Sequence, residues 1–231
     1  MTSIAANLQA VRARISAACL AAGRAPDSVQ LLAVSKTWPA ASVRRAVTAG
    51  QRAFGENYVQ EALDKSAELA DCDLEWHFIG PLQSNKTRPV AEHFAWVHSI
   101  DRLKVAQRLA AQRPAGMAPL QVCLQVNVSG EASKGGCTPQ EARELAVAIG
   151  ALPNLRLRGL MAIPEPTDDV ELQRRQFGLL RRTLETIDRD AGLALDTLSM
   201  GMSHDLEAAI MEGATIVRIG TAIFGQRQYT P

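Results

Sequence analysis

A lysine ends an apolar, strand-like run near the beginning of the chain. Residues 31–34 are Leu-Leu-Ala-Val, and Ser35, Lys36 and Thr37 follow, so Lys36 is expected to face inward. A buried ammonium loses its hydration, so it either pairs with an anion or lowers its pKa and becomes a nucleophile, as Schiff-base lysines do. Lys36 is therefore the first candidate for chemistry, and pairing with a barrel carboxylate is the alternative.

A second group of candidates lies near the end of the chain. Gly220 and Thr221 follow an apolar run that contains Arg218, and Ser203 precedes it. Glycine lets the backbone approach an oxyanion, and serine or threonine hydroxyls add donors, so this segment is typical of a phosphate site. Each of these residues also has a purely structural alternative. Ser203 could be an ordinary helix N-cap, Gly220 a turn residue, and Arg218 the partner of a carboxylate.

Other polar or soft residues occur late in apolar runs. Asn57 ends the run that precedes it, Asn127 lies near the end of another, and Met161 lies late in a third. Met161 could equally be core or pocket lining. Because an inward lysine, an arginine and a phosphate-type loop occur together, the sequence favours a pocket for a phosphorylated aldehyde, with pyridoxal 5′-phosphate as the leading candidate.

The arginine restricts the chemistry that such a cofactor could perform. Arginine only donates hydrogen bonds, so Arg218 would face an unprotonated pyridine nitrogen. Such a ring is a poor electron sink. Transamination is therefore disfavoured, whereas racemisation or simple cofactor holding stays open.

Short apolar runs alternate with amphipathic segments along the chain, the pattern of βα units. The predicted strands cover residues 30–35, 53–56, 76–79, 96–99, 120–128, 155–163, 197–200 and 216–219. The predicted helices cover 4–22, 40–49, 59–70, 102–112, 139–149, 170–190 and 206–211; segment 85–94 is less clear because Pro89 interrupts it.

This alternation predicts an α/β fold, a single (β/α)8 TIM-type barrel with an extra N-terminal helix, formed by residues 1–231 as one domain. A doubly wound open sheet is the alternative, because sequence does not reveal closure. In a barrel, the candidates above would meet at the C-terminal ends of the strands, where active sites lie.

Composition excludes several classes of partner. The formal net charge of +1 gives no electrostatic argument for nucleic acid or an anionic membrane, and no apolar stretch is long enough to cross a bilayer. The four cysteines and four histidines are scattered without disulfide or metal spacing. We expect a cytoplasmic protein with reduced thiols whose ligands are small molecules rather than metals.

The ordered motifs resemble those of the pyridoxal phosphate homeostasis proteins, or PLP-binding proteins, whose fold is similar to the N-terminal barrel of alanine racemase. The resemblance covers nearly the whole chain and rests on the blocks 33–37 (AVSKT), 54–61 (FGENYVQE), 76–80 (WHFIG), 125–127 (QVN), 159–164 (GLMAIP), 198–203 (LSMGMS) and 217–225 (VRIGTAIFG).

The resemblance implies a role for each candidate. Lys36 would form the internal aldimine, Arg218 would face the pyridine nitrogen, and Ser203 with the Gly220 and Thr221 backbone would hold the phosphate. It also implies that Asn57 lies beside the ring.

A further lysine, Lys134, also matches one of the family's lysines, and its loop could approach the mouth of the pocket. An exposed loop lysine is the alternative.

Three functions stay open from the sequence. The first is a monomeric cofactor carrier or buffer that contributes to vitamin B6 and amino-acid homeostasis and could pass the cofactor to apo-enzymes. The second is a weak racemase-like enzyme; racemases of this kind use a further β domain that supplies a tyrosine, and Tyr58 and Tyr229 are the tyrosines of this chain. The third is a Schiff-base aldolase acting on a sugar phosphate.

Overall fold

Strands and helices alternate along the chain in a computed structural model that describes residues 3–131 and 135–226. Within those residues, eight strands are present: β1 Gln30–Val34, β2 Ala53–Glu56, β3 Glu75–Phe78, β4 Trp96–Ile100, β5 Leu120–Gln125, β6 Leu155–Met161, β7 Thr197–Ser199 and β8 Ile216–Ile219. The helices are α1 Ile4–Ala21, α2 Ala40–Thr48, α3 Val59–Glu68, α4 Thr87–His93, α5 Leu103–Gln112, α6 Pro139–Gly150, α7 Val170–Ala191, α8 Leu206–Met211 and α9 Thr221–Phe224.

The strands form a closed parallel barrel, which confirms the predicted fold class. Each strand pairs with the next one in sequence, and β8 returns to pair with β1. In this last pair Arg218 lies opposite Leu32, and Ile219 lies opposite Ala33. The first and last strands are therefore neighbours, and the loops that follow them meet at one end of the barrel.

The N-terminal helix covers the seam between the first and last units. Its start is fixed by Ser3, whose hydroxyl accepts a hydrogen bond from the Ala6 amide at 3.2 Å. Its buried face contains Leu8, Val11 and Ile15 at helical spacing. This face packs against α8, α9 and α2, so the predicted extra helix is confirmed.

Several predicted boundaries were wrong. The runs 120–128 and 155–163 stay apolar beyond the points where β5 and β6 end, at Gln125 and Met161. Beyond Gln125, the Val126 amide still donates to the Met161 carbonyl, but the Asn127 amide donates to the Cys137 carbonyl, so the backbone leaves the β5–β6 pairing and turns to the following loop. Helix α4 tolerates Pro89 because the proline falls in its first turn, where an amide has no acceptor within the helix.

Two apolar cores result from this architecture. The larger one lies between the strands and the surrounding helices, and the smaller one lies inside the barrel. The interior core contains Leu32, Val34, Ala53, Ile79, Trp96, Cys123, Met161 and Ile216. The interior also holds buried polar side chains from four strands, namely His77, His98, Ser199 and Arg218.

Two kinds of feature are absent from the part of the chain that the structure describes. In residues 3–131 and 135–226, no helix is both long and apolar enough to cross a membrane. The same ranges contain no group of three or more His, Cys, Asp or Glu side chains placed to hold a metal ion.

Candidate functional site

A cavity of about 210 Å³ opens at the C-terminal ends of the strands. Six of the seven residues that the sequence predicted for cofactor binding line this cavity: Lys36, Asn57, Ser203, Arg218, Gly220 and Thr221. The structure thus brings together Arg218 of β8 and residues of the loops after β1, β2, β7 and β8, although their roles as ligands stay predictions.

Met161, the seventh predicted residue, lies in the barrel interior instead of among the residues that line the cavity. It is fully buried, and its strand neighbours are Gln125 and Ser199. Its side chain belongs to the interior core together with Val34 and Ile79, which do line the cavity. Met161 therefore lies among the residues that support the cavity wall.

Lys36 lies on a tight turn directly after β1. The Trp38 amide donates to the Ser35 carbonyl at 3.0 Å, and Thr37 has a positive φ of 67°. Thr37 is held in this unusual conformation by its amide, which donates to Glu61 Oε1. The turn leaves Lys36 partly exposed, among the residues that line the cavity.

A buried ion-pair cluster that the sequence analysis missed supports this turn. Lys65 Nζ lies 2.7 Å from Glu56 Oε1, 2.6 Å from Glu61 Oε1 and 2.7 Å from the Ser35 carbonyl oxygen. The Ser35 hydroxyl also donates to Glu56 Oε1, at 2.6 Å. Burial raises the pKa of Glu56, and Lys65 and Ser35 oppose that rise. Glu56 thus pairs with Lys65, and the pairing of Lys36 with a barrel carboxylate stays an open alternative.

The loop that contains Ser203 contacts the start of α9, and both segments line the cavity. Ser203 Oγ accepts a hydrogen bond from the Ala222 amide at 3.4 Å. The alternative interpretation of Ser203 as an N-cap is wrong, because the N-cap of α8 is Asp205. Glu207 forms an ion pair with Arg14 of α1, so its charge is directed to that helix.

Gly220 allows the last loop to approach the first strand closely. A Cβ atom at position 220 would lie 3.2 Å from the Val34 carbonyl oxygen and 3.4 Å from Val34 Cβ. Contacts of this length are tight for a side chain. Gly220 therefore does more than form a turn, because it lets the start of α9 approach Val34 at the end of β1, two residues before Lys36.

Asn57 has a buried acceptor that no group of the described residues satisfies. Its Oδ1 atom is buried without a hydrogen-bond partner in the part of the chain that the structure describes. Its backbone is held by Gly80, where a Cβ would lie 2.4 Å from the Asn57 carbonyl oxygen. A buried acceptor without a donor is costly unless something else pairs with it, so a ligand donor in the cavity would satisfy Asn57.

Arg218 projects from β8 with its guanidinium buried. It donates to Ser199 Oγ and to the Ala162 carbonyl oxygen, each at 2.8 Å. Burial lowers the pKa of Arg218 to about 10, and the charge of Asp205 opposes this effect. The guanidinium therefore stays protonated at neutral pH, and part of it remains at the cavity wall.

Some cavity residues were not predicted from the sequence. Trp38 lies two residues after Lys36 and stacks on Phe224 at 5.9 Å, and His204 follows Ser203. Closeness to the predicted residues in sequence was the available signal for both. Asn127 was a candidate from the sequence, but it is not among the residues that line the cavity. Its side-chain amide donates to the Glu131 carbonyl within its own loop, at 2.7 Å. Lys134 and Tyr229 lie outside the described residues.

Comparison with known proteins identifies the relatives of this chain. The model of the alanine racemase N-terminal domain matches residues 3–228. A pyridoxal phosphate homeostasis protein of Pseudomonas aeruginosa is 67% identical over 99% of this chain and 98% of its own length. Its counterpart in Escherichia coli K12 is 56% identical over 100% of this chain and 99% of its own length.

A solved structure shows the same likeness in three dimensions. PipY of Synechococcus elongatus, determined with PLP bound, is 40% identical, with a TM-score of 0.84 over 96% of this chain and 100% of that chain. Taken with the matched residues and the barrel described above, these findings show that the chain belongs to the pyridoxal phosphate homeostasis protein family, within the larger family of alanine racemase N-terminal domains.

Proposed function

We propose that this chain binds pyridoxal 5′-phosphate in the cavity at the C-terminal end of the barrel and carries or buffers it without catalysing a reaction. The observation that carries the proposal is that Lys36 and Arg218, from opposite ends of the sequence, line one cavity. The names of the relatives and the PLP-bound PipY structure support the choice of ligand. In the cell, such binding would contribute to vitamin B6 and amino-acid homeostasis.

Each predicted residue that lines the cavity has its own role in holding the ligand. The Lys36 amine condenses with the aldehyde, losing water and forming a Schiff base. Ser203 and the backbone amides of Gly220 and Thr221 hold the phosphate, and Arg218 donates to the ring nitrogen. Asn57 accepts from a donor of the ligand through its buried Oδ1. The residues present therefore fit this cofactor.

The proposed absence of catalysis rests on the groups around the cavity. Racemisation needs a second acid or base facing Lys36 across the ligand. In the described part of the chain, no tyrosine lines the cavity, and Tyr58 is 58% exposed outside it. His204 does line the cavity, but it follows Ser203, so we assign it to the phosphate end of the ligand and not to the face opposite Lys36. Release to apo-enzymes, a monomeric state and a cytoplasmic location belong to the same proposal.

Absorption spectroscopy tests the covalent part of the proposal. Adding pyridoxal 5′-phosphate to the purified protein should produce a Schiff-base band, and Lys36→Ala should abolish it. Lys104→Ala, a change of an exposed lysine on α5, should keep the band. Borohydride reduction followed by mass spectrometry should place a pyridoxyl group on Lys36. A reduced adduct on another lysine, or no band in the wild type, would refute the assignment.

Isotope exchange tests the non-catalytic part. Incubation of the loaded protein with single amino acids in D2O should label the α-carbon no faster than free cofactor does. Faster labelling that depends on Lys36 would instead establish the racemase-like alternative. The protein as purified, with no cofactor added, can also be reduced with borohydride in the presence of a sugar phosphate. A sugar-phosphate adduct on the protein, with no pyridoxyl adduct, would support the aldolase.

A further inference from the structure

We propose that Glu75, His77, His98 and Ser199 form a hydrogen-bonded chain, here called the interior relay, that positions Arg218 at the cavity. The relay crosses the inside of the barrel from the N-terminal end of β3 to β8. His77, His98 and Ser199 are fully buried, whereas Glu75 reaches the surface with a side chain 44% exposed. The inference rests on the proposed function insofar as Arg218 faces a bound ligand.

The distances form a continuous path. Glu75 Oε1 lies 2.7 Å from His77 Nε2, and His77 Nδ1 lies 2.9 Å from His98 Nε2. His98 Nδ1 lies 2.7 Å from Ser199 Oγ, which accepts from Arg218 NH1 at 2.8 Å. All of these contacts are within ordinary hydrogen-bond range.

The donors and acceptors in this path can be assigned from its two ends. Arg218 can only donate, so the Ser199 oxygen accepts from it and directs its own hydrogen to His98 Nδ1. His98 must then carry its proton on Nε2 and donate to His77 Nδ1. His77 in turn carries its proton on Nε2 and donates to the Glu75 carboxylate.

The reverse assignment fits poorly. It would need a protonated Glu75 and would leave the Ser199 hydroxyl hydrogen without an acceptor in the relay. The hydrogen bond from His77 lowers the pKa of Glu75, which favours the carboxylate. Burial lowers the pKa of both histidines, so neutral rings are favoured throughout. One direction of donation therefore satisfies every polar atom of the path.

Other contacts keep the relay rigid. The His77 ring stacks on Trp96 at 5.4 Å with an interplanar angle of 4°, and Trp96 is covered by the guanidinium of Arg158 at 5.1 Å. At the other end, Arg218 NH2 donates to the Ala162 carbonyl. Ser199 and Ala162 together hold both terminal nitrogens of Arg218, which fixes the plane of its guanidinium.

A consequence follows for residues that do not touch the cavity. None of the four residues of the interior relay lines the cavity. Each one nevertheless fixes whether the next one donates or accepts a hydrogen bond. Replacing the Glu75 carboxylate by an amide removes the anionic acceptor that selects the direction of donation. The direction can then invert, and Ser199 Oγ would accept hydrogen bonds from both His98 and Arg218 instead of from Arg218 alone.

Nuclear magnetic resonance of the ligand-free protein tests the relay without any cofactor. Histidine ¹⁵N shifts should show His77 and His98 as neutral rings with hydrogen on Nε2. Glu75→Gln should produce a mixture of tautomers at both rings, whereas Glu144→Gln, an exposed change on α6, should not. Hydrogen on Nδ1 of His98 in the wild type would overturn the proposal.

Ligand titration tests the effect on Arg218. Glu75→Gln and Ser199→Ala should weaken pyridoxal 5′-phosphate binding by about tenfold and shift the absorption maximum of the bound ligand, because a hydrogen bond to a charged group is altered. Affinity and spectrum equal to those of Glu144→Gln would overturn the positioning role. A wild type that takes up no ligand would refute the proposed function instead, and the tautomers would still decide whether the relay exists.

Discussion

Lys65 of α3 forms a buried ion pair with Glu56 of β2, with 2.7 Å between Nζ and Oε1 and side chains that are 5% and 0% exposed. The pair lies beneath the turn that presents Lys36, because Lys65 also donates to the Ser35 carbonyl. The barrel therefore uses one lysine to hold the position from which a second lysine reaches the cavity.

Removing the Lys65 ammonium should destabilise the protein strongly. Lys65→Met leaves Glu56 buried and without its cation, a change that costs about 3–5 kcal/mol in the free energy of unfolding. Urea denaturation measures this loss. The matched change Lys104→Met on the exposed side of α5 should have a much smaller effect. Adding Glu56→Gln to Lys65→Met should recover part of the lost free energy of unfolding. Equal losses for Lys65→Met and Lys104→Met would contradict the role of the ion pair.

A methyl group at position 80 should disturb the site through Asn57. Gly80→Ala places Cβ against the Asn57 backbone, and neither backbone can move away without shifting the loop. We expect a loss of roughly 1–3 kcal/mol in the free energy of unfolding, together with weaker ligand binding. Gly150→Ala is the control, since its Cβ would meet the flexible end of Leu193. Unchanged binding in Gly80→Ala would argue against a role for the Asn57 loop.

Ser203 should matter for the phosphate and not for the ring. Ser203→Ala removes a hydroxyl donor, and a hydrogen bond to a charged group contributes about 1.5–3 kcal/mol, so affinity for pyridoxal 5′-phosphate should fall by at least tenfold. Affinity for pyridoxal, which lacks the phosphate, should stay unchanged. Titration with both ligands by absorbance provides the comparison, and equal losses for the two would remove Ser203 from the phosphate site.

Stability should decrease on mild acidification because of the two interior histidines. Burial lowers the pKa of His77 and lowers that of His98 well below 6.5, so both rings bind a proton less readily in the folded protein than in the unfolded chain. The unfolded chain takes up these protons as the pH falls through its ordinary histidine pKa of 6.5. The unfolded state then binds more protons, and the free energy of unfolding should fall by up to ~1.4 kcal/mol per pH unit for each ring.

Urea unfolding between pH 7.5 and 5.5 checks this dependence. His98→Asn should reduce the slope of unfolding free energy against pH, because one buried neutral ring is lost. His93→Gln removes an exposed histidine from α4 and is the control. The same slope in His98→Asn as in the wild type would show that His98 does not remain neutral.

Local sequence determined much of the fold. Apolar runs with turn signals located the strands, since a parallel strand buried on both faces must be apolar along its length. Their alternation with helices indicated a barrel whose strands end at one edge. Lys36, Asn57, Ser203 and Arg218 could therefore be expected near one another, because each one lies at or just beyond the end of an apolar run.

Only the tertiary structure decided which side chains are hydrogen-bond and ion-pair partners. His98 and Ser199 are 101 residues apart, and only the closure and stagger of the barrel bring their side chains to 2.7 Å. The ion pair between Lys65 and Glu56 likewise depends on how α3 packs against β2. Periodicity shows which face a residue occupies, but distances between faces depend on register and packing, which the order of residues does not encode locally.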